Sequence, residues 1–251
     1  MTHLLLCVYR NLLFAMLFAI SISGGVASDN SHDQATLVAA GEAKKVFRDQ
    51  VRRLVRVGYP KALGMTPEQF RPTLEPLSKQ LDGGVRKTNK NNLPFLIVIP
   101  GSVMGFDTQF DLIEFENGKR GSAVYRQLGG IRNAVSTPEQ PYLIFDINLG
   151  MGSKEIYHYD SVHAANELLS RNGRRGLTLA EAIALATQHP KTVSKRTIYA
   201  TASFWRFDNT EAIPRISSTF GYPLLTYLFA DYFGNGPLPA SCREASRESK
   251  F

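Results

Sequence analysis

Cysteine is nearly absent from this chain: only Cys7 and Cys242 occur among 251 residues. Cys7 lies in an N-terminal segment that reads as removable, so the mature chain has no internal disulfide and its fold rests on its core. Cys242 then either pairs between chains or stays free. Tryptophan is scarcer still, with Trp205 alone. The 29 Lys and Arg outnumber the 22 Asp and Glu, giving +7, yet no long basic block forms. The densest clusters are Arg52-Arg53 with Arg56, Arg86-Lys87 with Lys90, Arg174-Arg175, and Lys195-Arg196. Each has acids nearby, which excludes a nucleic-acid tail. Such dispersed charge suits a solvated surface, and an anionic envelope surface is the one partner it points to.

Three chemical signatures are missing as well. No G-x-x-x-x-G-K-[ST] run exists to cradle a phosphate. Gly150-Met151-Gly152 follows a strand, but Glu155 stands where a dinucleotide fingerprint needs its third glycine. Gly101-Ser102 belongs to G-S-x-x-G, whereas a nucleophile elbow is G-x-S-x-G. No apolar run approaches the roughly 20 residues that span a bilayer.

The N-terminus has its own character. Arg10 is the only charged residue before an apolar run from Leu12 to Ile22, which softens through Ser23-Gly24-Gly25. Gly25 and Ala27, or Val26 and Ser28, are small residues at cleavage positions. This is the order of a secretory signal peptide over residues 1–28. It implies a periplasmic or secreted protein, the alternative being a membrane anchor or a start at Met16. No apolar region precedes Cys7, so a lipoprotein site is rejected. The leader takes one Arg and no acid, leaving 28 basic and 22 acidic side chains. Residues 29–36 read as a flexible lead-in, 37–242 as one globular domain, and 243–251 as a frayed tail.

Within the domain, periodicity predicts helices first and strands later, a mixed α/β (α+β) class: N-terminal helices followed by a small mixed sheet with packed helices. Leu37, Val38, Val46, Phe47, Val51, Leu54 and Val55 recur at helical steps and are closed by Gly58 and Pro60. Thr66-Pro67 starts a second helix that should end before Pro72, and a third piece runs from Leu74 to Leu81. Phe95 to Ile99 is a continuous apolar run between prolines, the pattern of a strand covered on both faces. Gly105 to Phe115 fits helix or strand. Tyr142 to Ile147 is a second strand, Ser161 to Leu169 a helix, and Thr178 with Glu181 a capping box. Arg196 to Phe204 alternates in part as a strand, and Tyr222 to Phe233 is strongly aromatic.

Few residues suggest chemistry. Asp146 lies within an apolar strand, where a carboxylate is costly unless it is paired, hydrogen-bonded or facing a cleft; the bland reading turns it outward. Tyr157 to His163 brings together His158, Asp160 and His163, good ligand types. The two histidines are five apart, however, which does not place them on one helical face, and Asp160 suits the N-cap of the following helix. No metal and no cofactor is expected. Trp205 and Arg206 suit a pocket rim, and Tyr227 and Tyr232 give the C-terminal stretch an aromatic contact surface, though core packing accounts for such rings equally.

Several segments together resemble an uncharacterised bacterial family, a domain of unknown function common in actinobacteria. They are Val51-Arg52-Arg53-Leu54-Val55 with Gly58-Tyr59-Pro60, Phe70 with Leu74-Glu75-Pro76-Leu77, and Leu96 to Pro100 with Ser102. Tyr142 to Asp146 follows, then Gly173-Arg174 running into Leu177 to Leu185 with His189-Pro190, and finally Ala240 to Arg243. The resemblance covers residues 47–243 and implies a domain boundary without a mechanism. The chain departs from that pattern in its leader, in His158 and His163, and in having Tyr227, Phe229, Tyr232 and Phe233 where the family is rich in tryptophan. The expectation is therefore a non-catalytic exported binding or interaction domain. The alternative is a hydrolase acting on an envelope or extracellular substrate through Asp146 with His158 or Asp160.

Overall fold

The computed structural model describes residues 35–123, 130–150, 157–158, 161–207, 210–232, 235–236 and 239–244. The leader, most of the lead-in, Asp160 and residues 245–251 lie outside them.

The chain enters through strand β1 (Thr36–Val38), which pairs antiparallel with β2 (Val85–Lys87). The first helix therefore begins later than periodicity suggests, as α1 (Ala40–Val57), and Leu37 is exposed in a strand instead of facing inward. Helix α1 buries Ala43, Phe47, Gln50, Val51, Leu54 and Val57 at helical steps. Gly58 ends it at φ 108°, a left-handed conformation that costs glycine little, and its N–H closes onto the Leu54 and Val55 carbonyls. After the short α2 (Tyr59–Ala62), helix α3 (Pro67–Ser78) opens with a Thr66–Gln69 capping box. It then runs through Pro72 and Pro76 and does not stop before the first of them. Each proline inside the helix costs about 3 kcal/mol, through the lost backbone bond and the clash of its ring with the preceding turn. Phe70, Leu74 and Leu77 nevertheless share one buried face, and each apolar burial contributes about 1.5–3 kcal/mol. Packing wins.

Strand β3 (Leu93–Val98) is followed by α4 (Phe106–Asp111), β4 (Ser122–Ala123), β5 (Ile131–Asn133) and β6 (Tyr142–Ile147). β3 and β6 form an antiparallel pair with a core on each face. Phe95, Ile97, Ile99 and Leu143 face the N-terminal helices. Leu96, Val98, Tyr142 and Ile144 belong to the second core. The free edge of β3 is closed by side chains. Gln50 donates to the Phe95 carbonyl and accepts from the Ile97 N–H, both at 2.9 Å, and Gln188 donates to the Ile97 carbonyl at 2.7 Å.

Then come β7 (Tyr157–His158), α5 (Val162–Arg171), β8 (Arg174–Gly176), α6 (Leu179–Gln188) and α7 (Pro190–Lys195). Ser161 caps α5 by accepting from the Ala164 N–H at 3.3 Å, so the cap expected of Asp160 falls to its neighbour. Residues 179 to 187 of α6 are all buried, which makes it the central helix of the second core. Arg53 ties α1 to it by donating to the Thr187 carbonyl, and it also donates to that of Glu114.

The chain closes with β9 (Ile198–Tyr199), β10 (Ser203–Phe207), β11 (Thr210–Thr219), β12 (Tyr222–Phe229), β13 (Asn235–Gly236) and β14 (Ser241–Arg243). Ala200 to Ala202 separate β9 from β10, so the strand expected over 196–204 is two. The main sheet has the order β4-β12-β11-β10-β5, with β9 also on β11 and with β4 parallel to β12. β14 bridges β8 to Asn148 just beyond β6. Arg243, expected to begin a frayed tail, is its last residue. The architecture is mixed α+β as expected, and the described residues gather into one unit. Among the described residues no helix is long and apolar enough to cross a membrane.

Candidate functional site

Asp146 does not turn outward. It is fully buried and adopts φ 54°, a left-handed backbone that is uncommon outside glycine. Pro94, which stands opposite it in the β3–β6 ladder, has no N–H to donate. The Asp146 carbonyl accepts instead from Arg174 Nη2 at 2.5 Å. The conformation also turns the strand over: Ile147 and its partner Leu93 join the second core, although Phe145, two positions before Ile147, packs on the first.

The carboxylate itself is saturated. Oδ1 accepts from the Thr88 N–H at 2.9 Å and Asn92 Nδ2 at 2.7 Å. Oδ2 accepts from the Thr88 hydroxyl at 2.7 Å and Arg174 Nη1 at 3.0 Å, and Arg243 Nη2 stands 3.6 Å away. Burial pulls its pKa up, but the Asn92 and Thr88 hydrogen bonds and the Arg174 charge outweigh that and hold it below the usual 3.8. Arg174 further donates to Ser241 Oγ and its carbonyl. One carboxylate thus clamps the β2–β3 turn, β6, β8 and β14 together.

The next residue, Arg175, projects to a second buried acid. Its Nη1 and Nη2 meet both Glu181 oxygens at 2.8 and 2.7 Å, a bidentate fork. Glu181 also accepts from the Thr178 N–H at 2.8 Å, completing the capping box, and from the Tyr142 hydroxyl at 3.1 Å. Burial, and then the Glu181 charge, raise the Tyr142 pKa. Cys242 lies opposite Arg175, and burial pushes its thiol up to about 12, leaving it protonated and enclosed. A buried thiol of this kind is no bridge to another chain.

Open chemistry gathers at the far end of the main sheet. A cavity of about 560 Å³ is lined by Gly130, Arg132, Asn133, Ala134, Phe204, Arg206 and Glu211. Strand pairing builds it: Arg132 stands opposite Phe204, and Arg206 opposite Glu211. Arg206 Nη2 meets Glu211 Oε1 at 3.1 Å while remaining 69% exposed. His163 from α5 stacks on Phe204 at 5.6 Å, with Nε2 3.5 Å from Glu211 Oε2. On the opposite face of the same strands Trp205 meets Tyr227 edge-on at 6.0 Å, and Tyr227 meets Phe229 at 5.5 Å.

Sequence reasoning singled out Trp205, Arg206 and Tyr227, and the structure brings the first and third into contact. Tyr232 lies in the 3-10 turn after β12, with its side chain outside the described residues. His158 forms β7 with Asn235 opposite, its side chain likewise outside them. His163 joins the sheet end, on Phe204 and beside Glu211. Arg132 and Glu211 gave no local signal, because only long-range strand pairing places them beside Arg206. A second cavity of about 480 Å³, between α1 and the α6–α7 junction, includes Arg53, Arg56, Gln188, His189 and Lys191. Burial lowers His189 to about 4, so its imidazole is neutral.

The sequence model of a family of unknown function, DUF5701, matches residues 53–212, and the chain belongs to that family. No curated protein and no solved structure matches it.

Proposed function

We propose, for a member of a family without an assigned activity, that the chain is an exported binding domain without catalysis of its own, and that its ligand is an anionic component of the cell envelope. The observation that carries this reading is the division of its charged groups. Asp146 and Glu181 are buried and have their oxygens filled by protein donors, whereas Arg206 and Arg132 stand exposed at the rim of the sheet-end cavity. A guanidinium presents a planar fork of donors that fits a carboxylate or a phosphate. Phe204 and His163 supply a stacked apolar wall beside it. Hydrolysis through Asp146 would need a free oxygen on that residue, and the Thr88, Asn92 and Arg174 bonds occupy both.

Trp205, the only tryptophan, adjoins Arg206 and reports on this region. Titrating its emission with inorganic phosphate and with polyglutamate should give a saturable change that Arg206→Ala and Arg132→Ala weaken. A flat response to both anions would sink the proposal. N-terminal sequencing of the exported protein should begin at Ser28 or Asp29, and a start at Met1 would refute export by cleavage.

A further inference from the structure

The β11–β12 hairpin has an improbable residue at its tip. Thr219 pairs with Tyr222, so Phe220-Gly221 is a two-residue loop, and both residues have positive φ, 50° and 77°. This mirror-image turn suits the twist of a hairpin and is ordinarily filled by Asn-Gly or Gly-Gly. Phenylalanine there bears backbone strain, and it gains no burial in return, because Phe220 is 90% exposed.

A second turn holds the strained loop in place. Lys119 Nζ donates to the Phe220 carbonyl at 2.9 Å, and Asn117 Nδ2 donates to the Gly221 carbonyl at 3.1 Å. The same ammonium lies 4.2 Å from the Tyr222 ring centroid. Tyr222 is half exposed, so two aromatic rings and a cation share one projecting edge. Of the other charges on the two turns, Glu116 is paired with Lys191 and Arg120 with Glu114. Among the described residues no carboxylate offsets Lys119.

We propose that this tip is a membrane-interface anchor, with Phe220 entering the headgroup boundary of an anionic phospholipid bilayer, Tyr222 at headgroup level and Lys119 facing lipid phosphate. Aromatic rings favour that boundary, and anionic lipid attracts nearby cations. The excess of basic residues without the leader, 28 against 22, adds long-range attraction to the same surface. One ring gives only reversible attachment, as single short anchors do. The anchor is independent of the Arg206 cavity, which meets β11 only at Glu211, at the other end of that strand.

The test is co-sedimentation of the purified exported chain with vesicles of phosphatidylcholine alone and of phosphatidylcholine mixed with phosphatidylglycerol. Phe220→Gly suits the turn better than the native residue, so a loss of binding cannot be ascribed to misfolding. It should weaken partitioning into mixed vesicles about tenfold, from the burial of one aromatic side chain. Lys119→Gln should weaken it about fivefold on mixed vesicles and little on phosphatidylcholine, while Arg206→Ala should leave it unchanged. If the wild-type chain ignores both vesicles, or Phe220→Gly binds them as well as wild type does, the tip is not a lipid anchor. The first result would leave an apolar pocket on a protein as its occupant.

Discussion

Arg174 and Arg206 each meet a carboxylate at nearly the same distance, 3.0 Å to Asp146 and 3.1 Å to Glu211. Their surroundings separate them. The first pair has side chains 13% and 0% exposed; Thr88 and Asn92 also donate to the carboxylate, and Ser241 Oγ accepts from the guanidinium. The second has side chains 69% and 32% exposed at the edge of a cavity. Removing one partner of a buried pair leaves an uncompensated charge in the interior, whereas an exposed pair is solvated with or without its partner. The inner pair is therefore structural, and the outer one is the pair that the proposed anion binding would use.

The largest test of that contrast is Asp146→Ala. It should destabilise the fold by about 3–5 kcal/mol, because Arg174 is left buried and unpaired. Urea unfolding reads it directly, and a loss below about 1 kcal/mol would erase the distinction between the two pairs.

Acid sharpens the same point through groups whose charge depends on burial. His189 falls from 6.5 to about 4 in the fold because its cation would be desolvated. The unfolded chain then takes up the proton first, so stability is full above 6.5 and is lost as pH falls towards about 4. The slope is at most about 1.4 kcal/mol per pH unit. Asp146, held below 3.8, adds a loss at still lower pH. His189→Gln should flatten the decline above pH 4 in urea midpoints, and a slope equal to wild type would show that another group is responsible.

Smaller effects belong to the surface. Phe220→Gly should raise stability by about 1 kcal/mol by relieving the left-handed backbone of an exposed residue; a lower melting temperature would mean that the ring packs on something. Arg206→Ala should change stability by less than about 0.5 kcal/mol while weakening anion binding at the sheet end. A large stability loss there would make the outer pair structural too.

How far the sequence could be read depended on how local each signal was. The Thr178–Glu181 capping box and the strand Tyr142–Ile147 were legible because their partners lie within a few residues or within one run. Strand β11 escaped notice because Glu211, Pro214, Arg215, Ser217 and Ser218 dilute its alternation, and only its pairing with β10 and β12 makes it a strand. Asp146 was conspicuous as a carboxylate in an apolar run, yet the bland reading turned it outward, because a run of six residues does not show that both faces of its strand are covered. Its positive φ and its partners are encoded by no local pattern. The N-terminus of α1 was misplaced for a similar reason, since Leu37 follows the helical period but is claimed by Arg86 across a strand pair.

The amino-acid order alone determined the mixed class of the fold, several helix ends, the two central strands and membership in the family, since caps, breakers and apolar period act between close neighbours along the chain. Tertiary structure alone decided which charges are spent inside and which remain outside. The donors that fill Asp146 come from residues 28 to 58 positions away, and Arg206 owes its partner and its cavity to the pairing of β10 with β11 and β5. The cost or use of a charge depends on the dielectric and the donors around it, and those exist only once distant segments have packed.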